Sequence, residues 1–130
     1  MPIDSRAKGI RGELAFCKLC KEHGFEDVRR SQQFCGNTGQ AADVVGLPYL
    51  HVEVKNVEKL NVRESVRQAV RDAKAEGKGN MPFVAWKKNG QPWEMIMRAD
   101  VFFELYEGYL FMQNAIGDGL ETRKNRGDLG

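Results

Sequence analysis

Two carboxylates and a lysine flank one tight turn: Asp43 precedes Gly46-Leu47-Pro48, and Glu53 and Lys55 follow it. The flanking stretches read as short β-strands, the second with valines alternating against polar residues. On that strand Leu50, Val52 and Val54 point one way, and His51, Glu53 and Lys55 the other. A hairpin centred between Leu47 and Pro48 sets Asp43 opposite Val52 or Glu53, depending on register. The second register places two carboxylates side by side, with Cβ atoms about 5 Å apart. Facing like charges destabilise a sheet, so a folded chain keeps them where something offsets the repulsion. A divalent cation with hard oxygen ligands does that, and Lys55 would stand beside it. Such a group suits phosphodiester chemistry. The competing reading is a solvated strand face whose Glu-x-Lys pair is worth about 0–1 kcal/mol, with His51 a strand-face histidine near water.

The first helix favours the cation. Asp4 or Ser5 caps a helix that runs to about His23, with Gly24 as its C′ stop. At ~100° per residue, Lys8, Arg11, Lys18 and Glu22 form the polar face. Ile10, Phe16, Cys17 and Cys20 form the apolar one, with Leu14 on its flank. Glu13 falls in the middle of the apolar face. Glutamate is rarely buried without a partner, because an unpaired buried carboxylate costs several kcal/mol or shifts its pKa. The partner is either a buried arginine or a cleft shared with Asp43 and Glu53. Gly9 and Gly12 each cost about 1 kcal/mol relative to alanine in a helix. They fit the cleft, where another backbone or a phosphate comes close.

The order of these parts resembles the PD-(D/E)xK nuclease superfamily, and within it the archaeal-type Holliday junction resolvases. The likeness rests on Lys8-Gly9 leading into Gly12-Glu13, on Val28-Arg29-Arg30-Ser31 after the helix, on Asp43-Val44-Val45, and on Glu53-Val54-Lys55. It covers about residues 5–98. Ala42 stands where the superfamily name has proline, and the loop from Gln32 to Ala41 is longer than the pattern leads one to expect. The resemblance implies a restriction-endonuclease-like α/β fold, a mixed sheet flanked by helices in the order αβββαββα. It implies a Mg²⁺-dependent endonuclease, with Mn²⁺ able to substitute. Asp43, Glu53 and the Val54 carbonyl would hold the metal, and Glu13 would bind the metal or its water. Lys55 would orient that water or neutralise the phosphate, and Ser31 would contact the phosphate. The substrate implied is DNA, branched in the resolvase case. Two symmetric cuts in a junction call for two active sites, hence a C₂ homodimer.

With 130 residues the chain is long enough for one core. It has no apolar run able to span a membrane and no secretory signal, so a soluble, cytoplasmic protein is expected. A net charge of +2 neither demands nor excludes nucleic acid, because acids gathered in one site mask a basic rim. Three cysteines, Cys17, Cys20 and Cys35, are an odd number that fits a reducing compartment. Cys17-x-x-Cys20-x-x-His23 has the look of a zinc motif. Two thiols three apart on an apolar helix face are, however, ordinary core residues.

Phe25 to Ser31 reads as a strand, and residues 32–40 as a polar, glycine-rich loop at the mouth of the site. Asn61-Val62-Arg63-Glu64 is a capping box opening a helix to about Glu76, closed by Gly77. Its apolar stripe is Val62, Val66, Ala69, Val70 and Ala73. Arg63, Arg67, Arg71 and Lys74 line one flank, as solvated charge or as contacts to phosphate. With Arg11, Arg30 and Ser31, the three arginines are the candidate DNA-binding residues. Residues 83–86 and 93–97 form a hairpin across Asn89-Gly90, with Trp86 and Trp93 as a packing pair. Asp100 caps a last helix through about Phe111 whose apolar face carries Phe102, Leu105, Tyr106 and Tyr109. Residues 1–116 thus form the nuclease domain, and 117–130 a charged, disordered tail with Arg123, Lys124 and Arg126. Two rivals remain: a related nuclease acting on duplex, flap or single-stranded DNA, and a non-catalytic nucleic-acid-binding module.

Overall fold

The computed structural model describes residues 4–31 and 42–117. The glycine-rich loop, Cys35 and the tail beyond 117 lie outside the described residues. The elements are α1 (Ser5–Glu22), β1 (Arg29–Arg30), β2 (Val44–Val45), β3 (Leu50–Asn56), α2 (Val62–Glu76), β4 (Met81–Lys87), β5 (Glu94–Ile96) and α3 (Ala99–Gly117). Their order, αβββαββα, is the expected one. The strands make one five-stranded sheet in the order β1-β2-β3-β4-β5. All neighbours are antiparallel except β3 and β4, which run parallel with α2 as their crossover. Contacts divide the chain into Met1–Met97, which holds the sheet, α1 and α2, and Arg98–Gly130, which holds α3.

The ends of α1 and α2 follow from their caps. The Asp4 side chain accepts the Ala7 N–H at 3.1 Å, and that of Asn61 accepts the Glu64 N–H at 3.1 Å. Gly77 closes α2 in the left-handed conformation. The core lies on the central strands, where Val52, Val84 and Ala85 are fully covered, and extends to Phe16, Cys17 and Cys20 of α1. Burial pushes both thiols up, Cys20 to about 11, as expected of packing cysteines.

Several expectations need correction. Only Arg29–Arg30 of the stretch from Phe25 to Ser31 is strand. The backbone before it is bonded elsewhere: Phe25 N–H donates to the Cys20 carbonyl at 3.0 Å, closing the end of α1. Trp86 and Trp93 are not cross-strand partners, because Trp86 faces Glu94. The turn is centred on Gly90, at positive φ, half a residue later than an Asn89-Gly90 centre would be, and that exchanges partners across the ladder. Trp93 instead packs on Phe16 with ring centroids 5.3 Å apart, and Trp86 donates its indole N–H to the Val57 carbonyl at 2.8 Å. Asp100 lies inside the first turn of α3, pairs with Arg98 at 2.7 Å, and the helix runs on to Gly117.

Gly46 fixes the hairpin that carries Asp43. Its φ is +104°, and a Cβ there would stand 2.4 Å from the Asp27 carbonyl oxygen. Gly46→Ala should therefore destabilise the fold by about 2 kcal/mol or more, through both strain and overlap. A urea melt of the variant checks this; an unchanged midpoint would mean that the turn relaxes freely.

Candidate functional site

Val44 pairs with Val52 across β2 and β3. One step along that register brings Asp43 opposite Glu53, the arrangement of facing carboxylates considered from the sequence. The Asp43 N–H donates to the Val52 carbonyl at 3.0 Å, and its carboxylate Oδ2 accepts the Val54 N–H at 2.7 Å. That single backbone bond does not hold the charge. Desolvation, the charge of Glu53 and that of Glu13 push the Asp43 carboxyl up to about 7, against the lowering effects of the Val54 N–H and Lys55. Asp43, Glu53, Glu13 and Lys55 thus share one field, at the end of β2 and the middle of β3.

The neighbours of each group are specific. Glu13, partly buried as its place on the helix required, is met by Arg30, whose Nε donates to Oε1 at 2.8 Å. Arg30 is thus a partner of Glu13, only part-buried with its side chain 39% exposed, and Glu13 also contributes to the field at Asp43. Ser31 lies next to Asp43, donating its N–H to the Asp43 carbonyl at 2.9 Å. Lys55 donates to Gln68 Oε1 at 3.1 Å, and Gln68 Nε2 donates to Glu53 Oε1 at 3.4 Å. Gln68 was not singled out from the sequence. An amide holding a lysine and a glutamate at once has its orientation fixed by those contacts.

His51 departs most from expectation. It is fully buried rather than near water. Nε2 lies 2.8 Å from Glu53 Oε2, and Nδ1 lies 3.0 Å from Glu76 Oε1. Burial opposes a charged ring, but the hydrogen bonds and charges of Glu53 and Glu76 outweigh it, raising the His51 pKa above the ordinary histidine value.

The face of α2 explains these contacts. Its buried positions are Ser65, Ala69, Asp72 and Ala73, while Val62 of the expected stripe is exposed. The helix is turned so that small and polar residues meet the sheet. It lies over the β3 face bearing His51, Glu53 and Lys55, which no valine could satisfy. The opposite face of β3 meets α1: a Cβ at Gly12 would stand 2.6 Å from Asn56 Cβ, and Asn56 donates to the Lys8 carbonyl at 3.0 Å. Gly12 is thus a packing glycine against a side chain. No heavy atom comes within 4 Å of the Cβ position at Gly9. Gly9 opens onto a cavity of about 420 Å³ whose lining includes Ser5, Lys8, Lys55, Asn56 and Glu58.

Other candidates stand apart from this cluster. Arg11 and Arg63 are exposed. Arg67 reaches Glu64 and Arg71 reaches Asp72, each at 3.5 Å with the arginine about two-thirds in solvent (65% and 66%). Such pairs contribute about 0–1 kcal/mol.

Among the described residues, no group of three or more His, Cys, Asp or Glu side chains could hold a metal ion. The donor set still fits a hard divalent cation. Asp43 is a partly buried carboxylate beside two others, with one backbone N–H to offset its charge, and all are oxygen donors.

No protein-family model matches the chain, and no curated protein matches it. Among solved structures the chain is similar to Hjc of Archaeoglobus fulgidus, a Holliday junction resolvase from an archaeal hyperthermophile. The identity is 26% and the TM-score 0.53, over 68% of this chain and 76% of that chain. This is a distant structural match, consistent with the PD-(D/E)xK superfamily fold. No helix among the described residues is long and apolar enough to cross a membrane.

Proposed function

We propose that this chain is a Mg²⁺-dependent DNA endonuclease of the PD-(D/E)xK type, acting on branched DNA as a Holliday junction resolvase. The observation that carries the reading is Asp43, kept beside Glu53 and Glu13 at the cost of a carboxyl raised to about 7, with Lys55 alongside. Like charges are brought together in this way where a cation is to be bound. The resolvase-like fold supports the substrate class.

Asp43, Glu53 and the Val54 carbonyl would hold Mg²⁺. Once bound, the ion supplies Lewis acidity toward the scissile phosphate and its attacking water. Lys55, its ammonium steadied by Gln68, neutralises charge that develops on the phosphate. Glu13 keeps Arg30 in place, and the exposed side of that guanidinium, with Ser31, faces the DNA backbone. The cavity beside Gly9 and Lys8 receives the flanking strand, and Arg11, Arg63, Arg67 and Arg71 add diffuse positive charge. Two copies act together, and α3, with exposed Phe102, Tyr106 and Tyr109, offers the apolar surface for pairing.

A second reading has one observation in its favour. Glu13 and Glu53 already have cationic or hydrogen-bonding partners, which suits a non-catalytic binding module. One panel separates the readings: four-way junction, duplex, flap and single-stranded DNA, each with Mg²⁺ and with EDTA. The expected result is paired nicking of the junction by a dimer, absent in EDTA and weak on duplex. Equal cutting of duplex would move the chain to another nuclease of the superfamily. Binding without cleavage of any substrate would leave the module.

A further inference from the structure

The buried histidine beside Glu53 does more than fill space. A core histidine is ordinarily satisfied by a backbone carbonyl or a hydroxyl. Here both ring nitrogens meet carboxylates: Glu53 Oε2 at 2.8 Å and Glu76 Oε1 at 3.0 Å. Glu76 is the last residue of α2, where a negative charge is unfavourable against the helix dipole. Its other oxygen lies 4.0 Å from the exposed Lys78 ammonium, too far for a hydrogen bond. The placement costs the helix something and is offset at the ring.

Among the described residues, the Glu53 carboxylate without His51 would be held by the long 3.4 Å contact from Gln68, and its side-chain torsions would be loosely set. With it, Oε2 is held at the ring and Oε1 accepts from Gln68, whose own oxygen accepts from Lys55. The chain Glu76–His51–Glu53 is therefore hydrogen-bonded at each joint and buried along most of its length.

We propose that His51 and Glu76 are positioning residues, which hold the Glu53 carboxylate in the orientation that binds a divalent cation. The end of α2 thereby tunes metal affinity without touching metal or DNA. The inference rests on the endonuclease reading. Groups that orient a metal ligand from behind typically change metal affinity or activity by about 10–100-fold.

The test titrates Mn²⁺ into metal-free protein by calorimetry, with melting curves of each variant in EDTA. Glu76→Ala should weaken Mn²⁺ binding by about tenfold or more. Glu76→Gln keeps an oxygen acceptor for the ring and should restore most of the affinity. Should Glu76→Ala melt below the assay temperature, Glu76→Asp, which withdraws the carboxylate by one methylene, carries the same expectation. In cleavage, the Mg²⁺ concentration for half-maximal rate should rise while KM for DNA at saturating Mg²⁺ stays put. Folded Glu76→Ala or Glu76→Asp that binds Mn²⁺ like the native chain would overturn the proposal alone. A native chain that neither binds Mn²⁺ nor cleaves DNA would instead overturn the endonuclease reading, and the proposal with it.

Discussion

Asp43→Asn is expected to abolish cleavage and, in EDTA at pH 8, to raise the melting temperature. The two halves of that result have one cause. At pH 8 the Asp43 carboxylate is charged, above its value of about 7, beside Glu53 and Glu13. Asparagine keeps the shape, and its carbonyl oxygen can still accept the Val54 N–H that Asp43 Oδ2 accepts at 2.7 Å. It removes the charge that burial and repulsion make costly. The metal loses a ligand and part of the local charge that attracts it, so the chemistry stops. DNA binding in EDTA should persist or tighten, because one carboxylate no longer repels the phosphate. Near pH 3, below both the unfolded value of 3.8 and the folded value of about 7, Asp43 is protonated in either state, so the two proteins should melt together. That pH contrast separates charge relief from a general packing effect. A structural carboxylate behaves otherwise: losing one partner of a buried ion pair costs about 3–5 kcal/mol. A sharp fall in melting temperature at both pH values, with DNA binding lost alongside, would remove Asp43 from the catalytic assignment.

The element order and the facing acids were legible because each rests on local signals. Asn61 and Gly77 bound α2 by caps, and the Gly46-Leu47-Pro48 turn admits few registers, one of which sets Asp43 opposite Glu53. What was not legible depends on which surfaces meet. Glu13 on an apolar helix face announces a partner but not its identity, since Arg30 lies beyond the helix end and reaches back only once β1 is placed. The face α2 turns to the sheet could not be read from its valines. The β3 residues beneath it are His51, Glu53 and Lys55, and they take Gln68 and Glu76 of α2 as partners, which the hydrophobic pattern does not show. Polar residues at 65, 68, 72 and 76 fall on one stripe. That stripe, set against the polar positions of β3, is the signal that would have found Gln68 and Glu76.

The same site sets how stability should vary with pH in the metal-free protein. In the unfolded chain Asp43 loses its proton near the ordinary 3.8, whereas in the folded chain it keeps it to about 7. Between those values the native state binds more protons than the unfolded one, so the free energy of unfolding falls as pH rises. At about 1.4 kcal/mol per pK unit, the loss is on the order of a few kcal/mol. His51 works in the same direction. Its folded pKa is raised, so its contribution is complete below its unfolded value and is lost as pH climbs through the folded one. Urea melts in EDTA should therefore show stability declining from pH 4 to pH 7, with a further decline as pH rises through the raised His51 value. Stability that is flat or rising over this range would mean that Asp43 is not strained. Mg²⁺ should reverse the decline. Proton and cation compete for the same carboxylate, so saturating Mg²⁺ should stabilise the protein strongly at pH 8 and little at pH 5. A hundredfold excess over the dissociation constant is worth about 2.7 kcal/mol, well within reach of a melting curve. An equal shift at both pH values would place the ion away from Asp43.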